Sequence, residues 1–457
     1  MSNLDVPEPI RLLDPLFTTD AMRQVFSDHH RLQCMLDFEA ALARALVGVG
    51  LAPSAARAPI ESQCHAELFD VESLARATAL SGNVAIPMVK ALTGLVAKSD
   101  SQAAAFVHWG ATSQDAIDTG LVLQLREALD FLDRDLAHLS ASLARLAAAH
   151  KSTLLVGRTW LQQGPPVTFG LKVAGWFAAV ERHRERLSHS RKQVLVLQFG
   201  GAVGTLAAIA DRRLDLAAAL ARDLRLDLPE LPWHSHRDRL AEVAASLGLL
   251  VGSLGKIARD ISLMSQTEID EVLEPSGAGR GGSSTMPHKR NPVSSAVILA
   301  AALRVPALVS TILTSMVQEH ERGLGGWHAE WETLPEIVRL AAGALAHMKE
   351  IVDGLEVHSE RMSQNAKLTR GLVLAEAVAF ALRERLGREK SHKIVEEAAR
   401  RATQDGSDFA DVLMSYPDVS SHLSRAELSR LLDPANYLGS AVEMTEKVLA
   451  ARSGAKK

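Results

Sequence analysis

The stretch Leu121-Val-Leu-Gln-Leu-Arg-Glu-Ala-Leu-Asp-Phe-Leu-Asp-Arg-Asp-Leu-Ala-His-Leu-Ser-Ala-Ser-Leu-Ala-Arg-Leu146 decides the fold class. Its leucines at 121, 125, 129, 132, 136, 139, 143 and 146 recur at steps of four and three, which places them on one stripe of a long helix. The same spacing returns in Leu240, Val243, Leu247, Leu250, Leu254, Ile257, Ile261 and Met264. Residues 173–197, 293–317 and 335–352 read as further long helices, the second interrupted by Pro306. Period-two alternation is almost absent, so the expected fold is all-α with a long central helical bundle. Composition shifts near Gly110–Asp115 and Asn365–Gly371 divide it into an N-terminal helical domain (1–113), a central bundle (114–365) and a smaller helical C-terminal domain (366–457). Two apolar stripes are hard to hide in one narrow bundle, which predicts a homo-oligomer.

A chain of 457 residues exceeds one usual core and has ample apolar content for burial. With 50 basic and 54 acidic residues it offers no polycationic field for nucleic acid. The basic run 181–192 is interleaved with glutamates and reads as a solvated helix face. Cys34 and Cys64 sit in helix-like, partly apolar contexts, which implies free thiols in a reducing compartment. No apolar leader or membrane segment is read, and a cytoplasmic location is expected. His234-x-His236 has chelate spacing but no predicted strand around it, so no metal site is assigned. No phosphate-cradling glycine motif and no cofactor motif occurs.

The chemistry concentrates in Gly282-Ser-Ser-Thr-Met-Pro-His-Lys-Arg-Asn-Pro292. It joins backbone freedom, hydroxyls, an ammonium and an amide, groups suited to holding and deprotonating beside carboxylates. The glycine-rich run before it, Pro275 to Gly281, predicts a mobile loop over a pocket. Asn291 suits an N-cap and Pro292 a first turn, which would set a positive helix end near Ser283 and Lys289.

This loop resembles the GSSxMPxKxNP signature of the fumarase/aspartase superfamily, and every signature position matches. His108-Trp-Gly-Ala-Thr-Ser-Gln-Asp115 resembles the same family's HxGxTSxD segment. Met35–Arg44, Gly157–Gln162, Val194–Gly201 and Trp327–Pro335 extend the similarity over nearly the whole chain. The resemblance implies a tetramer in which five central helices per chain build a twenty-helix core, with active sites shared between subunits. It implies that Ser283 moves the proton and that Lys289 and Asn291 hold the carboxylate on which charge accumulates. Thr112 and Ser113 would bind another carboxylate, while His108 is equally a contact or a structural residue.

Two departures narrow the reading. Arg158-Thr159-Trp160-Leu161-Gln162 carries tryptophan where the family's amine-eliminating lyases resemble one another in a histidine acid. Indole has no titratable proton in the physiological range, so protonation of a leaving amine is excluded there. Ser81-Gly82-Asn83-Val84 likewise lacks the His-Asp pair of adenylosuccinate lyases. Trp160 and Gln162 then read as pocket residues, and Arg237 and Arg322 as anchors for further carboxylates. The resemblance is nearest to the family's cycloisomerase branch, which implies a cofactor-free intramolecular lyase closing a small tricarboxylate, a carboxymuconate, to a lactone. The alternatives are a C–N lyase of the same superfamily and a non-catalytic helical oligomer.

Overall fold

The computed structural model describes residues 10–209, 211–277, 281–282, 286 and 289–453. Nineteen α-helices run through these residues, so the all-α expectation holds. Five long helices dominate: Ser113–Ala149, Phe169–Val194, Asp238–Met264, Val293–Ser315 and Gly326–Gly354. The leucine stripe from 121 to 143 is buried, as are all eight positions of the stripe from Leu240 to Met264. Each such leucine stabilises the fold by about 1.5–3 kcal/mol.

That burial overturns the stated reason for an oligomer, since neither stripe is left waiting for a second chain. The apolar surface lies instead on Val293–Ser315, whose most apolar window is only 28% buried. This helix and Asp238–Met264, the latter 56% buried, are long and apolar enough to cross a membrane by length and composition. Arg304 divides the uncharged run of the first of them, so no membrane segment was read there.

Two compact units are built from interleaved segments. The first comprises residues 1–137, 182–255 and 297–347. Its N-terminal core packs Leu32, Met35 and Leu36 against Leu74, Met88, Leu92 and Val96. Helix Asp28–Gly48 starts where the Ser27 side chain accepts from His30 N. Helix Gly326–Gly354 begins upstream of the expected 335, with Pro335 inside it. Proline leaves the carbonyl one turn back without its N–H partner, and Arg31 Nη2 donates to that oxygen, Trp331 O, at 3.3 Å.

The second unit comprises residues 138–181, 256–296 and 348–457. Its C-terminal core gathers Val378, Leu382, Ile394, Phe409, Leu413, Val419 and Leu428. It also holds an antiparallel hairpin, Leu154–Thr159 paired with Gln162–Thr168, and the short pair Val272–Leu273 with Glu356–Val357. The hairpin was not expected from a sequence almost without period-two alternation; its Pro165 and Pro166 are accommodated at a register shift between Val156 and Arg158. Gly157 sits at that shift, where a β-carbon would lie 2.6 Å from Pro165 O.

Candidate active site

In the first unit the chemistry begins at the start of helix Ser113–Ala149. Asp115, fully buried, accepts from Thr112 N at 3.0 Å and so caps its own helix. The same carboxylate accepts from Gly200 N at 3.1 Å and Gly201 N at 2.9 Å, and pairs with His234 Nε2 at 2.8 Å. Asp115 therefore ties three segments together and has no capacity left for a ligand. His234 is spent in that pairing, and no group of three metal-ligating side chains occurs among the described residues.

The ordering places Thr112 beside Arg322, whose Nη2 donates to the Thr112 hydroxyl. Arg322 Nε is buried without a hydrogen-bond partner. A buried, unmatched guanidinium N–H beside a hydroxyl has the chemistry to bind a carboxylate oxygen. Two residues singled out from sequence, 210 positions apart, are thus brought together. Ser113, half-buried, follows as the first helical residue.

His108 takes a different part. Its Nδ1 lies 2.6 Å from Glu39 Oε1, and the Glu39 side chain is 1% exposed. Burial pushes the imidazole pKa down, but the Glu39 carboxylate outweighs it and holds His108 above its ordinary value. His108 thus anchors the segment leading to Thr112 through an ion pair.

Arg237 is a correction. It is 1% exposed, with Nε and Nη2 on Glu330 and Nη1 and Nη2 on Asp118, at 2.5–3.1 Å. Its guanidinium lies over the Trp233 ring at 4.8 Å, and Trp327 Nε1 donates to Asp118 at 3.0 Å. All three guanidinium nitrogens donate to buried carboxylates, so Arg237 is a buried structural hub and no carboxylate anchor. Burial pushes the Glu330 carboxyl up against the opposing pull of Arg237. Arg239, by contrast, donates to Gln193 O at 2.6 Å.

In the second unit Trp160 and Leu161 form the two-residue tip of the hairpin, with Gln162 exposed just beyond. Trp160 is 98% exposed in the single chain, so packing in its own core is excluded. The base is fixed by Arg158, which grips the fully buried Glu271 with two bonds at 2.7 and 2.8 Å. Asn365 Nδ2 donates to the same carboxylate at 3.0 Å, and Gln163 Nε2 donates to Asn365 O.

Ser283 lies outside the described residues, but the stem that carries its loop is defined. Gly282 bridges Arg290, and Asn291 N donates to Gly281 O at 2.9 Å. Arg290 binds Glu356 with two bonds, at 2.8 and 2.7 Å, and Glu274 O at 2.6 Å. Lys289 is exposed and Asn291 half-buried. The helix that follows is not capped as expected. Glu274, buried, accepts from Ser294 N at 3.0 Å and from Ser295 N and Oγ at 2.8 and 2.6 Å. Its carboxylate already occupies the positive helix end, which leaves Lys289 and Asn291 as the polar groups of the loop's exit. A cavity of about 20 Å³ beside Gly281, Arg290 and Asn291 has room for a water and not for a tricarboxylate.

A family model described as lyase matches residues 16–307, and one described as adenylosuccinate lyase C-terminus matches residues 371–448. The 3-carboxy-cis,cis-muconate cycloisomerase of Pseudomonas aeruginosa is 58% identical over 446 residues, covering 98% of this chain and 97% of that protein. The crystal structure of 3-carboxy-cis,cis-muconate lactonizing enzyme from Pseudomonas putida superposes with a TM-score of 0.93 at 53% identity, covering 98% of this chain and all of that one. The β-carboxy-cis,cis-muconate cycloisomerase of Acinetobacter calcoaceticus sp. ADP1 gives a TM-score of 0.91 at 41% identity, over 96% of this chain and 100% of that chain.

Proposed function

The chain belongs to the lyase family, and from that premise we propose that it is an intramolecular lyase interconverting 3-carboxy-cis,cis-muconate and a carboxymuconolactone in the breakdown of aromatic acids. The observation that carries this is the 58% identity, over 98% of the chain, to a cycloisomerase of that substrate. Tryptophan at 160, where an amine-eliminating lyase needs an acid, agrees with it.

In the lactonising direction one carboxylate oxygen of the substrate adds to a carbon–carbon double bond conjugated to a second carboxylate. The electron pair moves onto that second carboxylate, and a proton from the Ser283 hydroxyl then completes the new C–H bond. The reverse step returns the proton to the Ser283 alkoxide. A free serine is a weak base, so the alkoxide needs Lys289 beside it and water kept away. Lys289 and Asn291 stabilise the carboxylate on which charge accumulates, an interaction stronger in the transition state than in the ground state. Thr112, Ser113 and Arg322 hold another carboxylate, with His108 positioning their segment. Trp160 and Gln162 form a wall. The chain's own residues suffice for each step, without a cofactor or metal.

The enzyme is proposed as a cytoplasmic homotetramer of three-domain chains divided near Ser113 and Asn365. Support for assembly comes from helix Val293–Ser315, where Ala296, Ala300, Leu303, Ala307, Ser310 and Thr314 fall at alternating steps of four and three and all but half-buried Ala300 are exposed. That is a seam of small residues suited to close helix packing against another copy. The exposed Trp160 tip fits a site completed by a second chain. The direct test follows the ultraviolet absorbance of carboxymuconate, with fumarate, argininosuccinate and adenylosuccinate as controls. Loss of the conjugated diene absorbance with carboxymuconate alone is expected; turnover of a control in its place overturns the assignment.

A further inference from the structure

Leu161 is a costly residue for its place. The turn joining Thr159 to Gln162 has two residues, and both have positive φ, +51° at Trp160 and +64° at Leu161. Such a primed hairpin turn is relaxed with Asn-Gly or Asp-Gly, because a β-carbon is crowded in the left-handed region. Here two large side chains occupy it, and Leu161 is 78% exposed, so its own fold returns little apolar burial for the strain. Meanwhile the base of the hairpin is clamped by Arg158 on Glu271 and by Gly157 under Pro165. The tip is therefore apolar, strained, rigidly based and aimed outward. Strain of this kind persists where it serves a ligand contact.

We propose that Leu161 is a specificity-determining residue, whose side chain stands with Trp160 against the unsaturated carbons of the substrate in a site completed by a second copy of this chain. This rests on the function proposed above. The groups assigned to the substrate's carboxylates, Thr112, Ser113, Lys289, Asn291 and Arg322, are all polar. A flat conjugated diene also needs an apolar face that excludes water from the carbon receiving the proton. The hairpin tip supplies two apolar side chains without a titratable proton.

The test uses full-length Leu161→Asn, which tolerates the left-handed backbone while removing the apolar surface, and Leu161→Met, which keeps apolar bulk. Leu161→Asn should retain the native mass and a melting temperature no lower than that of the unaltered protein, yet lose about tenfold or more in kcat/KM. Leu161→Met should stay within about threefold. The comparison is run on whichever of carboxymuconate, fumarate or argininosuccinate the unaltered protein turns over, so a wrong substrate assignment shows separately, as inactivity of the unaltered protein toward carboxymuconate. Leu161→Asn kinetics within about twofold of the unaltered protein would overturn the proposal. So would a fall in melting temperature and mass that tracks the loss of activity, because Leu161 would then be a turn residue only.

Discussion

Ser283 and Lys289 carry the proposed chemistry, and their removal should be felt in turnover and not in folding. Ser283→Ala is expected to lower kcat by at least about a hundredfold with an unchanged circular dichroism spectrum. Lys289→Met, which removes the cation facing the developing charge, should cost about 10²–10³ in kcat; a rise in KM alone would make Lys289 a general anchor. Arg237 should behave in the opposite way. Arg237→Met strands the carboxylates of Asp118 and Glu330 in the interior, a loss of about 3–5 kcal/mol, read as a fall in melting temperature. A well-folded Arg237→Met enzyme with only a raised KM would restore the anchor reading. His108 sets a pH dependence. Its pKa in the fold is raised, so the stability from its pairing with Glu39 is present at low pH and lost as pH rises through that folded value. Thermal melts across that range should show the fall, and His108→Gln should flatten it. Motif residues were legible from type and spacing, because proton transfer and carboxylate binding restrict the choice of side chain. Glu39, Asp118, Glu271, Glu274 and Glu330 were not, because a buried carboxylate looks in sequence like any surface acid until its partner's position is known.

Helices were read well where an apolar stripe set them, as from Leu121 to Leu143 and from Leu240 to Met264. Reading failed where a tertiary contact replaced a local signal. Pro335 reads as a helix start, yet Arg31 satisfies the carbonyl it frees and the helix begins at Gly326. Pro165 and Pro166 hide a strand that a register shift makes possible. Asn291 and Pro292 have the look of a self-contained helix start, but the capping carboxylate comes from Glu274, 20 positions before Ser294. This last case yields a prediction about the element. Glu274→Ala leaves the first N–H groups of helix Val293–Ser315 unmatched in a buried setting, at a cost of about 1–3 kcal/mol. It also loosens the helix start that follows the loop, so melting temperature and kcat should fall together. A variant with the melting temperature of the unaltered protein would remove Glu274 from its place as the cap.

For the molecule as a whole, similarity to solved cycloisomerases and the motif set agree on a lyase-family enzyme, while the expected motive for assembly was misplaced. The long stripes legible in sequence are absorbed within the chain, and the exposed seam lies on Val293–Ser315, where small residues give little hydrophobic signal and Arg304 breaks the run. The exposed Trp160 tip, the Thr112–Arg322 pair and the stem of the Ser283 loop are each well built, and each is proposed to supply part of a site. These parts are proposed to meet from different copies of the chain to close a carboxymuconate. The most direct measurement mixes Ser283→Ala and Trp160→Ala proteins, each expected to be inactive alone, by joint unfolding and reassembly, and follows carboxymuconate absorbance in the hybrids. Partial activity is predicted, because some mixed sites then contain neither lesion. Hybrids verified by mass that remain inactive would contradict the claim and return the whole site to a single chain.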